Sequence, residues 1–124
     1  MIRSYKDLVV WQKGIDLVEE VYRLTARFPN HERYGLTGQI QRAVVSVPSN
    51  IAEGHECHHL NEYLQHLSRA LASLAEVETQ LEIARRLKYV SKVDSIAIEL
   101  ETDALGRQIR SLRNSLENRR QSST

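Results

Sequence analysis

The densest group of side chains that could do chemistry lies between His55 and His66. Its members are His55, Glu56, Cys57, His58, His59, Glu62 and His66. Glu56 and His59 have the Glu-x-x-His spacing that carboxylate-bridged metal sites use in helical bundles. Such a site needs a second Glu-x-x-His motif and two further glutamates, and the chain has no second copy. The cluster is also expected at a loop and the first turn of a helix, where ligands would face solvent. We therefore predict no metal and no cofactor, and a pH-sensing role for the histidines stays open.

Nucleophilic catalysis would need a thiol or hydroxyl held against an oriented base. Cys57, beside several histidines, is the candidate, but neighbours in sequence at the start of a helix seldom face one another. The chain also lacks a nucleophile-elbow glycine pattern, a glycine-rich phosphate loop, a paired CxxC and a zincin motif. We therefore predict that the protein is not an enzyme.

A basic run near the end of the chain is the candidate nucleic-acid site. Its arginines are Arg107, Arg110, Arg113, Arg119 and Arg120, with Glu117 among them. At helical spacing Arg107 and Arg110 share a face with Asn114, and a guanidinium binds phosphate through two parallel hydrogen bonds. Charge matching to the helix dipole is the competing explanation, because the same helix begins acidic. A ring of subunits would join such patches into one basic surface. Arg107, Arg110 and Arg113 are the residues that we predict to bind nucleic acid.

The segment R-A-V-V-S-V-P-S-N-I-A-E-G, from Arg42 to Gly54, places a proline inside a helical pattern. Pro48 removes a backbone donor and crowds the carbonyl of Val44, so a bend is expected there. A polar line along one face of this helix comprises Arg42, Ser46, Ser49 or Asn50, and Glu53. Beside Pro48, a serine or asparagine side chain can satisfy a freed carbonyl such as that of Val44. We therefore predict a structural role for this segment and not a ligand site.

The composition indicates an all-α protein. Aromatic residues make up only 6% of the 124 residues, and there are only 5 glycines and 2 prolines. Seventeen basic and sixteen acidic residues give a formal charge of +1. The field of the whole molecule therefore neither demands nor forbids a nucleic acid, and any electrostatic function must be local.

The first two helices follow from apolar periodicity. The first begins at Leu8, with Asp7 as its expected N-cap, and ends before Pro29. Its two apolar rows are Leu8, Trp11, Ile15, Val18, Tyr22 and Thr25, and Leu17, Val21, Leu24 and Phe28. So wide a face suggests burial against a partner as well as a core. The second helix runs from near Arg33 to Glu53, and Gly54 is its expected C′ residue.

The third and fourth helices have clearer patterns. Apolar positions of the third are Leu60, Leu64, Leu67, Leu71, Leu74 and Leu81, and Glu78 stands where a leucine is expected. If Glu78 is buried it needs a partner, and Arg42 is the expected one. The fourth helix is capped by Ser91 and runs to about Asn118. Its apolar line Val93, Ile96 and Leu100 continues after a five-residue step as Leu105, Ile109, Leu112 and Leu116. The shift of face predicts that one half packs inside the bundle and the other on a neighbour.

These patterns predict an antiparallel up-down-up-down four-helix bundle with a proline bend in helix 2. We expect a single domain over residues 1–118 and a polar tail over 119–124. The lone Cys57 cannot form an intramolecular disulfide, and no leader or run of about eighteen apolar residues is present. We therefore expect a cytoplasmic protein that does not enter a membrane.

The chain resembles the four-helix-bundle family of proteins encoded in intervening sequences of bacterial 23S ribosomal RNA genes. The matching motifs are Tyr5-x-x-Leu8-x-Val10-Trp11-Gln12-Lys13, Tyr34-Gly35-Leu36, Gln39-Ile40-x-Arg42, Ser46-Val47-Pro48-Ser49-Asn50-Ile51-Ala52-Glu53-Gly54 and Ser73-Leu74-x-Glu76-x-Glu78. The resemblance implies a cytosolic, non-enzymatic homopentamer. It also implies kinship with the accessory proteins of diversity-generating retroelements, which bind nucleic acid and a reverse transcriptase.

Together the residues and the resemblance lead to one functional hypothesis and one alternative. The hypothesis is a small oligomeric protein that binds structured RNA, or DNA, through backbone contacts of Arg107, Arg110 and Arg113. The alternative is a scaffold that recognises another protein through an apolar or polar helix face and binds no nucleic acid. Salt-dependent binding of RNA separates the two.

Overall fold

The computed structural model describes residues 1–122, which form four α-helices and two short 3-10 turns and contain no strand. The helices are α1 (Val9–Thr25), α2 (Leu36–Glu56), α3 (Leu60–Arg86) and α4 (Lys92–Ser122). The turns, Tyr5–Asp7 and Asn30–Glu32, precede α1 and α2. The predicted all-α class with four helices is confirmed.

The core contains most of the apolar rows that the periodicity indicates. Fully buried side chains include Leu17, Val21, Ile40, Val44, Ile51, Leu67, Leu81 and Ile109. In α1 the second row is the deeper one, because Leu8, Trp11 and Val18 of the first row are only partly buried against the core. Tyr22 of that first row is 45% exposed. The wide apolar face of α1 is therefore not fully covered by the other three helices.

Helix α1 packs on α2 and α4, and α3 packs on α2 and α4. Between α2 and α3, Ser46 contacts Ser73 and Asn50 contacts His66. The later residue of α2 therefore contacts the earlier residue of α3, as expected for two neighbouring helices that run in opposite directions.

The start of α1 differs from the prediction. Asp7 does not cap α1, because its Oδ2 accepts hydrogen bonds from the backbone N–H groups of Arg3 (2.8 Å) and Ser4 (3.3 Å). Ser4 and Asp7 form a capping box around the Tyr5–Asp7 turn, and Leu8 precedes α1 without a side-chain cap. The Asp7 carboxylate therefore caps the Tyr5–Asp7 turn and not α1.

Helix α2 begins at Leu36, three residues after the predicted start. The carboxylate of Glu32 fixes this point, since its Oε1 accepts from the Leu36 N–H at 3.1 Å and its Oε2 accepts from the Tyr89 hydroxyl at 2.9 Å. The Leu36 amide and then the Tyr89 hydroxyl lower the pKa of Glu32. One side chain therefore links the start of α2 to the loop between α3 and α4.

Pro48 lies buried inside α2, which is one helix from Leu36 to Glu56. It faces Gly14 of α1, where a Cβ atom would come within 3.2 Å of the Pro48 Cβ. The two helices approach closely at this level because Gly14 has no side chain. The bend expected at Pro48 stays a prediction.

Gly54 is not the C′ residue of α2, and that prediction was wrong. The helix continues to Glu56, and no glycine among residues 1–122 has a positive φ. A Cβ on Gly54 would lie 2.8 Å from both Tyr63 Cδ1 and His66 Cβ of α3. Glycine is required here by the approach of another helix and not by a left-handed backbone.

Helix α4 begins as predicted and ends later. The Ser91 hydroxyl accepts from the Asp94 N–H at 3.1 Å, which confirms Ser91 as its cap. The helix runs on to Ser122, so residues 119–122 of the predicted tail are helical, and residues 123–124 lie outside the described residues. Arg120 Nη1 donates to Asn61 Oδ1 at 2.7 Å, which ties the last turns of α4 to the start of α3.

Candidate nucleic-acid interface and the polar seam

The polar line predicted on α2 forms a hydrogen-bonded seam with α3. The hydroxyls of Ser46 and Ser73 lie 2.8 Å apart, and Asn50 Nδ2 donates to both the carbonyl and the hydroxyl oxygens of Ser46 at 2.9 Å. Asn50 Oδ1 lies 2.9 Å from His66 Nδ1. Because the Asn50 amide nitrogen is used on Ser46, its oxygen must accept, so His66 Nδ1 carries the hydrogen.

The seam differs in one detail from the expected use of these side chains. Asn50 bonds the carbonyl of Ser46 and not that of Val44, because a side-chain amide four residues further on reaches back one turn. Glu53 lies at the edge of the seam, with its Oε2 3.7 Å from His66 Nδ1 and its side chain 65% exposed. Ser49 is exposed.

The predicted pairing of Arg42 with Glu78 is wrong. Arg42 is exposed on α2, and its Nη1 would lie 3.2 Å from a Cβ placed on Gly38 of the same helix. Glu78 is half-buried on the opposite flank of α3, against α4. Helix α3 is rotated so that Ser73 faces α2 while Glu78 faces α4, and periodicity alone does not fix that rotation.

Glu78 lies among charged groups of α4. Burial raises the pKa of Glu78 most, and the nearby carboxylates of Asp103 and Glu99 raise it further. Arg110 and the hydroxyl of Thr102 lower the pKa of Glu78 without cancelling the rise. Ionisation of Glu78 is therefore less favourable in the folded protein than in water.

The three arginines predicted to bind nucleic acid lie along α4 beside α3, in two neighbouring pockets. Arg107 and Arg110 line a small pocket of about 210 Å³ with Glu78 and Asp103. Both arginines are exposed, and Arg110 lowers the pKa of Glu78 by its positive charge. Arg113 lies in the next pocket along the same two helices.

The second pocket, which we call the α3/α4 groove, has a volume of about 730 Å³. Its lining consists of Asn61, Leu64, Gln65, Ser68, Arg69, Arg113, Glu117 and Arg120. Among these described residues there are three guanidiniums and one carboxylate, so the groove is basic. Sequence reasoning missed Arg69, which is on another helix, and left out Arg120, which it assigned to a tail. The signal for Arg120 was the unbroken helical spacing from Arg113.

An acidic groove lies between α1 and α4. Its charged residues are Lys13, Asp16, Glu19, Glu20, Arg23 and Glu101. Arg23 pairs with Glu19 and Glu20, and the pKa of Glu101 is raised by burial and then by Glu20 and Asp16. The two grooves beside α4 therefore differ in the sign of their charge.

The first half of α4 carries an exposed apolar stripe. Val93, Ile96 and Leu100 are 77%, 43% and 64% exposed, whereas Ile98, Leu105 and Ile109 are buried. The apolar face therefore shifts between the halves of α4, as the five-residue step predicts. Nothing within residues 1–122 covers the stripe.

The histidine and cysteine cluster shows no metal geometry. Within the described part of the chain, no three His, Cys, Asp or Glu side chains are grouped so that they could hold a metal ion. Cys57 Sγ donates to the carbonyl of Glu53 at 3.2 Å. Burial and then the nearby Glu62 carboxylate raise the pKa of the Cys57 thiol, which disfavours the nucleophilic thiolate.

The described residues therefore define a small all-α protein, a four-helix bundle with a polar seam and oppositely charged grooves beside its last helix. The chain belongs to the family of 23S rRNA-intervening sequence proteins, whose sequence model matches residues 6–111. The predicted family is thus confirmed. None of the four helices, over the residues described, is both long and apolar enough to cross a bilayer.

A solved structure supports the fold. The chain is similar to the 1.70 Å crystal structure of a protein of unknown function from the S23 ribosomal protein family of Bacteroides thetaiotaomicron. The two share 21% sequence identity with a TM-score of 0.80, over 86% of this chain and 96% of the other. No curated protein matches the chain.

Proposed function

We propose that this protein is a non-enzymatic, cytoplasmic, oligomeric protein that associates with structured RNA through backbone contacts. The observation that carries the proposal is the basic α3/α4 groove, in which Arg69, Arg113 and Arg120 outnumber the single carboxylate of Glu117. Phosphate contacts from arginines supply most of the affinity of sequence-independent nucleic-acid binding. The family name, 23S rRNA-intervening sequence protein, is in keeping with an RNA partner.

Self-association is the second part of the proposal. The stripe of Val93, Ile96 and Leu100 is suited to the neighbouring subunit of a ring, because large exposed apolar side chains in a row mark interaction sites. The family resemblance favours a homopentamer. In a ring each α3/α4 groove is repeated by every subunit, which increases the avidity for a long polyanion.

The test is binding of a structured RNA at several salt concentrations. Reversal of charge by Arg113→Glu is expected to weaken binding and to reduce the slope of log affinity against log salt by about 1 for each phosphate that is no longer neutralised. Arg33→Glu is the matched control, because it makes the same charge change at an exposed position that belongs neither to the groove nor to the apolar stripe. No retention of RNA at low salt would refute the proposal.

A protein scaffold without nucleic-acid binding is the second candidate function, and the apolar stripe on α4 favours it. The molar mass of the purified protein, measured by light scattering together with its absorbance ratio, separates the two. Co-purified nucleic acid supports the first candidate. An oligomer that is free of nucleic acid and does not bind added RNA supports the protein scaffold.

A further inference from the structure

We propose that the α3/α4 groove binds double-stranded RNA in preference to DNA, with arginines on the phosphates and an amide and hydroxyl row on the ribose 2′-hydroxyls. This inference rests on the proposed function and names its ligand class and residues.

The groove has two walls of different chemistry. On α3, Asn61, Gln65 and Ser68 follow one another at spacings of four and three, so they form a neutral hydrogen-bonding row. On α4, Arg113, Glu117 and Arg120 repeat the same spacings. The contacts of Arg120 with Asn61 (2.7 Å) and of Arg113 with Ser68 (3.4 Å) show that the two rows lie opposite each other over about 10 Å of helix.

The charge of Arg113 is not neutralised by a carboxylate within residues 1–122. Its contact in the groove is to a neutral hydroxyl, and 3.4 Å is long for a hydrogen bond. A phosphate would offer two charge-assisted bonds in exchange for this weak one. Arg69, on the α3 side of the groove, is exposed and adds a second guanidinium. At Arg113, a phosphate would therefore be a stronger partner than the Ser68 hydroxyl.

The side chains that line the groove favour a nucleic-acid duplex over a single strand. Among the described residues that line the groove, none is aromatic. Proteins that hold single strands stack bases on aromatic rings, whereas double-stranded RNA is recognised by its shape, its phosphates and its 2′-hydroxyls. Asn61, Gln65 and Ser68 can each donate to and accept from a hydroxyl. The chemistry of the groove therefore fits an A-form backbone.

The experiment measures binding of the full-length protein to three probes of one sequence: a 20-base-pair RNA duplex, the same duplex in DNA, and one RNA strand with no self-complementarity. We expect the RNA duplex to bind roughly tenfold more tightly than either of the other two. Gln65→Ala combined with Ser68→Ala is expected to reduce the RNA-to-DNA ratio to about threefold or less, since two partners of the 2′-hydroxyls are removed. Arg113→Glu is expected to weaken both duplexes alike and leave the ratio near its original value.

Gln108→Ala is the matched control, because Gln108 lines the acidic groove on the other side of α4. It should leave all three affinities unchanged, and circular dichroism checks that every variant is folded. Equal binding of RNA and DNA duplexes, tighter binding of the single strand, or an unaltered ratio in the Gln65/Ser68 variant overturns this inference while the proposed function stands. Failure to bind any probe at low salt overturns both.

Discussion

Gly54 of α2 and Tyr63 of α3 lie so close that a Cβ atom on the glycine would come within 2.8 Å of Tyr63 Cδ1. The backbone carbonyl of Tyr63 would be only 3.3 Å away, so rotation of the ring alone could not relieve the contact. We expect Gly54→Ala to destabilise the protein by about 1–3 kcal/mol, as overpacking of an interior does. Urea unfolding followed by circular dichroism measures this.

Gly106→Ala is the control for that substitution. Gly106 is also a helical glycine, but the nearest atoms to a Cβ there belong to the flexible guanidinium of Arg110, at 3.4 Å and beyond. Alanine should therefore stabilise α4 by about 0.5–1 kcal/mol, because it lowers the entropy of the unfolded chain. Similar effects of the two substitutions would contradict the close approach of α2 and α3.

The polar seam is expected to hold α2 against α3. Asn50→Ala removes two hydrogen bonds to Ser46 and leaves Nδ1 of His66 without its acceptor, so a loss of about 1–3 kcal/mol is expected. Ser49→Ala, next to it but exposed, should change stability by less than about 0.5 kcal/mol. If both variants unfold like the parent but Asn50→Ala loses RNA binding, the seam is a ligand site and the structural interpretation is wrong.

Two glutamates one turn apart on α3 should respond to pH with opposite signs. The pKa of Glu78 is raised in the folded state, so its contribution to stability is present below about pH 4.5 and is lost as pH rises through the folded pKa. Glu78→Gln should therefore stabilise the protein at pH 7 and match the parent near pH 4. Thermal unfolding at both pH values tests this.

Glu82→Gln is the counterpart. Hydrogen bonds from Arg85 and Arg86 lower the pKa of Glu82 to about 2. Its contribution is therefore present above about pH 4.5 and is lost as pH falls towards 2, so this variant should be less stable than the parent at pH 7. A Glu78→Gln variant that is destabilised at pH 7 would show that the carboxylate has a partner that outweighs its burial.

A lysine just after the end of α3 has a backbone conformation that glycine prefers. Lys88 has φ of 66°, and the N–H of Tyr89 bonds the carbonyl of Ala84 at 2.9 Å. This is the Schellman arrangement, in which a side chain at the left-handed position costs about 1 kcal/mol. Lys88→Gly is expected to raise stability by about that amount in urea unfolding, whereas Lys13→Gly, in the interior of α1, should lower it.

The apolar stripe of α4 predicts the effect of a buried charge on assembly. Leu100→Glu should lower the molar mass seen by light scattering towards that of one chain, because a carboxylate would have to be desolvated in a subunit contact. Val45→Glu makes the same kind of change at an exposed position on α2 and should leave the mass unchanged. An unchanged mass for both variants would place any subunit contact elsewhere.

Local patterns in the sequence were sufficient to predict the four helices and most of the buried core residues. The spacing of Leu64, Leu67, Leu74 and Leu81 predicted a buried row, and Ser91 predicted the start of α4, because both depend on residues within a few turns of the same helix. The chain of motifs from Tyr5 to Glu78 predicted the family for the same reason, as it required no knowledge of how the helices pack.

The tertiary structure decided which residues meet. Gly54 lies against Tyr63, Glu78 faces Arg110 and not Arg42, and Arg69 joins Arg113 in one groove, although none of these pairs is close in sequence. Such contacts depend on the rotation of each helix about its axis and on the register between neighbours. A helix can turn by one residue position, about 100°, without changing its own hydrogen bonds, so only the packing of the whole bundle selects the faces that form the grooves and the seam.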